Sequence, residues 1–196
     1  MNTPDEGEKA ELMTADDLDR TLNRMAHQVI EVLDPQEEDL SSFALIGMQT
    51  RGAHLARRLR DKIRQDTGMD LPLGILDVTM YRDDVRLKLD QPVIRATDIP
   101  FDVTGRDIVL IDDVVFTGRS ARAALDALMD LGRPASIRFL VIVDRGRREL
   151  PISPTIVGKV VPTLPDERIQ LCMTEEDDKD GVFLVKSSAE KPAEGR

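Results

Sequence analysis

Three segments of the sequence place apolar residues at helical spacing. In the first, the apolar residues fall three or four positions apart: Leu18, Leu22, Met25, Val29, Val32 and Leu33. This spacing predicts an amphipathic helix, and Thr14 is its expected N-cap. A second helix is expected to begin at Gly52 and to end before Gly68. A third follows residue 118 and ends at Gly132-Arg133-Pro134, because glycine and proline stop helices.

Short apolar runs separate these helices. They cover residues 43–46, 73–79, 108–111 and 137–143, with weaker runs at 155–161, 169–173 and 182–185. Uninterrupted runs are typical of strands that are buried on both faces. Strands alternating with helices predict an α/β fold, in which helices flank a mainly parallel sheet on both faces. Ligands bind beyond the carboxyl ends of such strands, so we expect the site just after Ile46, Ile111 and Val143.

The remaining segments set the domain limits. We predict a mobile acidic tail over residues 1–12, a single domain over residues 13–186 and a second mobile tail over residues 187–196. The segment from about 80 to 100 is charged, contains proline and has no clear period. We therefore expect it to leave the sheet as a flap.

Composition narrows the class of protein. The chain has 196 residues, of which 41% are hydrophobic and 33% charged, as in a soluble globular protein. A single cysteine, Cys172, excludes a disulfide framework and is expected to be a buried apolar residue. Only two histidines are present, which argues against a Cys/His zinc site. The first residues lack the features of a signal peptide, and we expect a cytoplasmic protein.

Charge is unevenly distributed. The net charge of −10 opposes a general attraction to nucleic acid. Most of this charge lies in the two ends of the chain, whereas basic residues cluster at 51–64 and 145–148. A local anion-binding face is therefore compatible with the sequence. We expect residues 57–64 to form a solvated helix face and the acidic run 175–180 to form a solvated loop.

The segment from Val109 to Ser120 carries the candidate chemistry. Its strand leads to two adjacent carboxylates, Asp112 and Asp113, and a short turn then leads to a helix. The start of that helix holds two hydroxyls, a glycine and an arginine: Thr117, Gly118, Arg119 and Ser120. Unpaired N–H groups and the positive end of the helix dipole make such a start a phosphate site.

The two carboxylates cannot favour the same phosphate. They suit hydroxyl groups or a magnesium ion beside it, and a phosphate next to a diol is characteristic of a ribose 5-phosphate. The alternative is a strand end with solvated acids and an ordinary helix start. Neither G-x-x-x-x-G-K-[ST] nor G-x-G-x-x-G occurs in the chain, which argues against a P-loop nucleotidase and a dinucleotide enzyme.

These residues resemble the motif with which type I phosphoribosyltransferases bind phosphoribosyl diphosphate (PRPP), a hydrophobic stretch followed by Asp-Asp and Thr-Gly. Other segments are similar to the PyrR family of bifunctional pyrimidine-operon regulators and uracil phosphoribosyltransferases. Those segments are Ile46–Gly52, Tyr81–Asp84, Gly132–Pro134, Val143–Ile152, Val157–Lys159 and Pro162–Thr163. The likeness covers roughly residues 14–185 and implies a type I phosphoribosyltransferase fold with a small hood or flap.

The resemblance implies that the chain joins uracil to PRPP, giving UMP and diphosphate. Asp112 and Asp113 would hold the ribose hydroxyls. PRPP would bring Mg²⁺ near these two residues, and no residue is assigned as a direct ligand of the metal. Thr117 to Ser120 would surround the 5-phosphate. The diphosphate loop would consist of three residues: Thr50, Arg51 and Gly52.

The remaining substrate contacts also follow from the resemblance. Arg82, in the flap, would reach the diphosphate, and Asp144 and Arg145 would form the uracil-binding wall. Four residues would act in catalysis: Asp112, Asp113, Arg51 and Arg82. Bond cleavage at C1 of the ribose places charge on the leaving diphosphate, which positioned donors and Mg²⁺ stabilise. No covalent nucleophile is needed, and the sequence identifies no general base for N1 of uracil.

Regulation in the family rests on uridine-nucleotide-dependent binding of a stem-loop in the leader of pyrimidine-operon mRNA. The matching residues are Asn23, Arg24, His27, Arg147, Arg148 and Lys159. Asn23 stands where the family usually has threonine, and Arg147 where it usually has histidine. Both replacements can still donate to phosphate or to a base edge. His27 has an alternative interpretation as an ordinary histidine at the boundary of the apolar face of its helix.

Two other functions stay open on the sequence. One is an RNA-binding attenuator that keeps the nucleotide site as a sensor with vestigial catalysis. The other is a salvage phosphoribosyltransferase for another base, without an RNA role. The intact Asp112-Asp113, Thr117-Gly118 and Thr50-Arg51 pairs favour retained catalysis. The family also implies a homodimer or larger homo-oligomer, with UMP and UTP as regulatory ligands.

Overall fold

The computed structural model describes residues 9–33, 42–83 and 96–186. The helices are α1 (Ala15–Leu33), α2 (Arg51–Thr67) and α3 (Arg119–Leu131), and a 3-10 turn covers Thr79–Tyr81. The main sheet consists of β2 (Phe43–Met48), β3 (Leu73–Leu76), β4 (Asp107–Val115), β5 (Ser136–Asp144) and β6 (Ile156–Val160). A second sheet consists of β1 (Lys9–Met13), β7 (Glu167–Cys172) and β8 (Gly181–Lys186). In these described parts, no helix is both long and apolar enough to cross a membrane.

The five-stranded sheet is parallel throughout, in the order β3-β2-β4-β5-β6. Helices α1 and α2 pack on one face and α3 packs on the other. The α/β prediction is therefore confirmed. Because parallel strands end at the same edge, the residues that follow β2, β4 and β5 are brought together there.

The helix boundaries follow the predicted signals. Thr14 caps α1 through a capping box: its Oγ1 accepts from the Asp17 backbone N–H, and the Asp17 carboxylate accepts from the Thr14 N–H. That backbone N–H is the main reason why the pKa of Asp17 is lowered to about 2. Gly68 ends α2 in a left-handed conformation, with its N–H bonded to the Arg64 carbonyl.

The predicted N-terminal tail over residues 1–12 is too long. Residues 9–13 form β1, which pairs antiparallel with β8, and β7 lies along the other edge of β8. This strand depends on a partner more than 160 residues away in the chain, so no local period signals it. Residues 1–8, the predicted tail over 187–196 and residues 84–95 of the predicted flap lie outside the described residues.

Two predicted strands end furthest from where they were expected to end. The strand expected at 108–111 extends to Val115 and includes Asp112 and Asp113, because β5 continues to pair with it as far as Asp144. The strand expected at 73–79 ends at Leu76. Asp77 then accepts hydrogen bonds from the backbone N–H and the hydroxyl of Thr79, which start the 3-10 turn.

The basic helix face and the acidic run are solvated only in part: Arg57, Arg64 and Asp178 are exposed as predicted, but other members of the two runs contact each other. The acidic loop, which we define as residues 173–180 between β7 and β8, contacts α2. Arg58 donates to both Glu175 and Asp180, at distances of 2.6 to 2.9 Å. These contacts raise the pKa of Arg58 and lower the pKa of each acid. The two charged runs were correctly located, but the fold joins them.

Helix α2 approaches the sheet closely because two glycines lack side chains. A Cβ on Gly47 would lie 2.5 Å from the Gly52 carbonyl oxygen and 2.7 Å from Cα of Ala53. A Cβ on Gly52 would lie 2.5 Å from the Ile111 carbonyl oxygen. The neighbouring atoms are backbone and cannot rotate away. The start of α2 is thereby held against β2 and β4.

We expect Gly47→Ala to lower the free energy of unfolding by about 3 kcal/mol, because the added methyl group forces the helix off the sheet. Urea denaturation measures this change. Gly105→Ala is the control, since no atom lies within 4 Å of its Cβ position. Its cost is the left-handed backbone alone, about 1 kcal/mol. An unchanged urea midpoint for Gly47→Ala would contradict the close approach.

Candidate functional site

A cavity of about 660 Å³ opens at the carboxyl edge of the main sheet, between β4, β5 and the start of α3. Six of its lining residues were predicted as site residues: Arg82, Asp112, Thr117, Gly118, Arg119 and Ser120. Its volume lies in the range of small-molecule sites. The fold therefore places one of the two predicted carboxylates beside the predicted phosphate site at Thr117 to Ser120, which we call the phosphate cradle.

The start of α3 presents uncapped backbone donors to this cavity. Gly118 is the N-cap residue and has a φ of 90°, a conformation that favours glycine, and no side chain caps the helix there. The Arg119 N–H makes a long, 3.4 Å bond to the Thr117 hydroxyl, and the following N–H groups of the first turn are left for a ligand. The carbonyl of Thr117 accepts from the N–H groups of Glu149 and Leu150, which holds the turn in place.

The arginine of the cradle is paired with two acids. Arg119 donates to Asp83 at 2.6 Å and to Glu149 at 2.7 Å. Both carboxylates line the cavity, as does Phe116. None of these three residues was predicted for the site. All three lie within segments that carry the family resemblance, Asp83 in Tyr81–Asp84, Phe116 in Val109–Ser120 and Glu149 in Val143–Ile152, so the sequence carried a signal for each of them.

Asp112 and Asp113 are adjacent residues of β4, and their carboxyls interact directly. Asp112 lines the cavity, whereas Asp113 is not among the described residues that line it. The adjacent backbone N–H groups donate to each: Asp113 N–H to Asp112 and Val114 N–H to Asp113.

The pKa values of both carboxyls are raised. Burial raises the pKa of Asp112 well above its ordinary value, and the Asp113 charge raises it further, against the attraction of Arg82. Burial also raises the pKa of Asp113, while hydrogen bonds and the Arg51 charge oppose the shift. A cation or a hydroxyl donor brought to these carboxylates would therefore be bound favourably.

The predicted diphosphate loop lies beside this cavity and not in its lining. Thr50 precedes α2, Arg51 is its first residue, and the Gln49–Thr50 peptide bond is cis. Gly52 contacts β4 at Ile111 and Asp112. The Nε atom of Arg51 is buried and has no hydrogen-bond partner in the described parts of the chain. Such an orphaned donor indicates a missing acceptor.

Hydrogen bonds, an ion pair and a stacking contact fix the residues of the predicted uracil wall. Asp144 accepts from the Gly146 N–H and forms a 2.7 Å ion pair with Arg148. Arg148 also donates to the Phe116 carbonyl at 2.7 Å. The Arg145 guanidinium lies over the Phe116 ring, 4.1 Å from its centroid. The loop after β5 is thus attached to the segment that carries the phosphate cradle.

Two of the six predicted RNA-binding residues, Arg24 and Lys159, lie at the contact between α1 and β6, whereas Asn23 and His27 contact Lys62 and Asp66 of α2. Arg24 donates to the carbonyls of Val157 and Gly158, and it lines a groove of about 460 Å³ together with Lys159. Arg20 lines the same groove and was not predicted. Asn23 and His27 lie on α1, and the exposed His27 ring bonds to the Asn23 carbonyl. The groove is basic on balance, with Asp17 as its one acid among the described lining residues.

The other two predicted RNA contacts lie in the loop after β5. Arg147 is exposed and has a φ of 54°. Arg148 is largely buried, and its guanidinium binds Asp144 and three backbone carbonyls: Phe116, Gly146 and Ile152. These two adjacent residues therefore differ: the Arg147 side chain is accessible, whereas the Arg148 side chain holds the loop together.

Comparison with known proteins agrees with this geometry. The phosphoribosyl transferase domain model matches residues 13–167. A bifunctional protein PyrR from Roseiflexus sp. (strain RS-1) is 48% identical over 184 residues, which is 93% of this chain and 98% of the relative. A bifunctional protein PyrR from Elusimicrobium minutum is 49% identical over 170 residues, which is 87% of this chain and 93% of that protein.

Solved structures show the same fold at low identity. A hypoxanthine phosphoribosyltransferase from Staphylococcus aureus matches with a TM-score of 0.66 at 18% identity, covering 96% of this chain and 98% of the other. The enzyme from Trypanosoma cruzi matches with a TM-score of 0.68 at 15% identity, covering 90% and 95%. The predicted type I phosphoribosyltransferase fold is thereby confirmed. Fold, domain match and relatives together place this chain in the phosphoribosyl transferase family and, within it, among the PyrR proteins.

Proposed function

We propose that the protein transfers the phosphoribosyl group of PRPP to uracil, giving UMP and diphosphate, and that it regulates pyrimidine genes by binding leader mRNA. One observation carries the catalytic half: the uncapped start of α3 opens into a cavity that the Asp112 carboxylate also lines. An anion site beside a hydroxyl acceptor suits a ribose 5-phosphate.

The 5-phosphate binds at the start of α3. Backbone N–H groups donate to its oxygens, the Thr117 and Ser120 hydroxyls add further donors, and the helix dipole favours its charge. Arg119 adds a positive charge that Asp83 and Glu149 hold at the cavity. Asp112 then accepts from a ribose hydroxyl, and Asp113 accepts on the side towards Arg51.

The diphosphate binds at the start of α2. Thr50, Arg51 and Gly52 surround it, and the orphaned Nε of Arg51 finds its acceptor there. Arg82 reaches it from the start of the flap. Negative charge grows on the leaving diphosphate as the bond to C1 breaks, so fixed donors at this position stabilise the transition state.

Magnesium fits this site as an ion carried by the substrate. Among the described residues, no group of three or more His, Cys, Asp or Glu is placed to hold a metal. Mg²⁺ commonly binds through one or two carboxylates and substrate phosphates, and Asp112 and Asp113 are suitable carboxylates. When bound with PRPP, Mg²⁺ neutralises part of the diphosphate charge.

Uracil binds against the loop after β5. The Asp144–Arg148 ion pair holds this loop, so Asp144 shapes the wall and the neighbouring backbone groups are left to read the base edges. Arg145 fixes the other side of the wall by stacking on Phe116 and donating to Thr163. No residue is assigned as general base.

RNA binds on the groove between α1 and β6. Arg24 and Lys159 line the groove and supply positive charge. Asn23, His27 and Arg147 lie outside its lining and supply further donors. Binding through such residues reads the shape and phosphates of a folded RNA. Both activities place the protein in the cytoplasm, and a homodimer or larger homo-oligomer is expected from the family.

A direct activity test separates this proposal from the other two. The pure protein is incubated with PRPP, Mg²⁺ and either uracil or hypoxanthine, and nucleotide formation is followed by chromatography. We expect UMP from uracil and no product from hypoxanthine. Turnover with hypoxanthine alone would favour a salvage enzyme for another base, and RNA binding without any turnover would favour the sensor.

Asp112→Asn should lower turnover about 100-fold without lowering the melting temperature. The pKa of Asp112 is raised in the fold, so ionisation of this residue costs stability as pH rises through that pKa. Asparagine avoids this cost and keeps the acceptor for the Asp113 N–H. At neutral pH the variant should melt at or above the wild-type temperature, with the difference vanishing in acid.

Initial rates and thermal melts across pH measure both effects. Asp126→Asn is the control, since this exposed acid pairs with Arg122 on α3 and has no assigned role. Near-normal turnover of Asp112→Asn would show that its carboxylate does not contact the substrate. A lower melting temperature at neutral pH would contradict the raised pKa.

Lys159→Gln should weaken binding of a pyrimidine leader hairpin, measured by gel shift with UMP present. The slope of the logarithm of the binding constant against the logarithm of the salt concentration should become less negative by about 0.9, which is the effect of one lost phosphate contact. Lys186→Gln removes the same charge from the exposed end of β8 and should leave the slope unchanged. Equal slopes for Lys159→Gln and wild type would exclude Lys159 from the RNA surface.

A further inference from the structure

The acidic loop follows α2 as far as the proposed diphosphate site. Beyond the Arg58 contacts, Glu176 accepts from His54 at 3.0 Å. The last contact along the helix is made by Asp177, which binds Arg51. The loop belongs to the smaller sheet and comes from the far end of the chain. It therefore joins that sheet to the first residue of α2.

Asp177 is fixed by hydrogen bonds that do not involve Arg51. Its carboxylate accepts from the Met173 N–H at 2.9 Å, and its own N–H donates to the Met173 carbonyl at 2.6 Å. The side chains of Arg51 and Asp177 are only 30% and 23% exposed. A partly buried ion pair between one fixed partner and one flexible partner restricts the flexible one. The flexible partner here is the long side chain of Arg51.

The contact uses only part of the guanidinium. Both carboxylate oxygens of Asp177 accept from the single Nη2 atom of Arg51, each at 3.1 Å. The Nε atom remains buried and without a partner among the described residues. An arginine held through one terminal nitrogen keeps its other donors for a ligand, in a fixed plane.

We propose that Asp177 is a positioning residue, which orients Arg51 so that its remaining donors meet the leaving diphosphate. This inference rests on the proposed function. A competing effect has the opposite sign: a carboxylate beside Arg51 also offsets positive charge and disfavours diphosphate. If that effect dominated, loss of the Asp177 charge would strengthen PRPP binding. The sign of the change therefore decides between orientation and competition.

Asp177→Asn tests this choice, because asparagine keeps an acceptor for the Met173 N–H and loses the charge. We expect kcat/KM for PRPP to fall roughly tenfold, with KM for uracil and the melting temperature unchanged. Glu176→Gln is the matched control. It removes the same charge from the adjacent position, where the partner is His54, and should behave as wild type. An equal loss in both variants would overturn the proposal.

A double-mutant cycle with Arg51→Gln provides the second readout. If Asp177 acts through Arg51, Asp177→Asn should cause no further loss in an Arg51→Gln background. Additive losses, or a lower KM for PRPP in Asp177→Asn, would overturn the proposal. Calorimetry with magnesium diphosphate should show weaker binding to Asp177→Asn than to wild type. This last measurement does not need uracil turnover, so an inactive wild type would overturn the proposed function alone.

Discussion

The site depends on the close contact between the start of α2 and the main sheet. Gly47 and Gly52 leave no side chain between the helix and strands β2 and β4, so backbone meets backbone. This contact brings the first residue of α2 beside the end of β4, where Asp112 and Asp113 lie. A protein interior is too closely packed to make the same approach with even one methyl group added. Packing thus sets the distance between the two proposed anion sites.

Charge balance is the second constraint on the site. The proposed substrate carries several negative charges, and it binds beside two carboxylates whose pKa values are already raised by burial. The nearby arginines do not act as free positive charges, since Arg119 binds two acids and Arg51 binds one. Such pairing limits attraction between the empty site and other anions while keeping the guanidinium groups in place. In the proposed function, a cation carried by the substrate beside the carboxylates would complete this balance.

The proposed nucleotide and RNA sites share two neighbouring strands. Lys159 of β6 lies opposite Val143 of β5, and Val143 precedes Asp144 in the proposed uracil wall. Arg24 of α1 binds the backbone of β6 directly. One sheet edge therefore carries both proposed surfaces, which explains how a chain of this length accommodates two functions. The adjacent residues Arg147 and Arg148 differ in their surroundings, since Arg147 is exposed and Arg148 forms contacts within the loop after β5.

The sequence by itself determined the features that depend on local interactions. Apolar spacing located the helices, and Thr14 and Gly68 marked two of their ends. The segment around Asp112 and Gly118 identified the type I phosphoribosyltransferases, and the other matching segments identified the PyrR family. Tertiary structure decided the features that depend on distant partners. Strand β1 exists because β8 pairs with it, and β4 extends through both aspartates because β5 runs beside it. The acidic loop meets α2 across more than a hundred residues, and no local pattern encodes which opposite charges the fold will join. Spacing along a chain specifies the faces of its elements, whereas contacts between elements depend on how those faces pack.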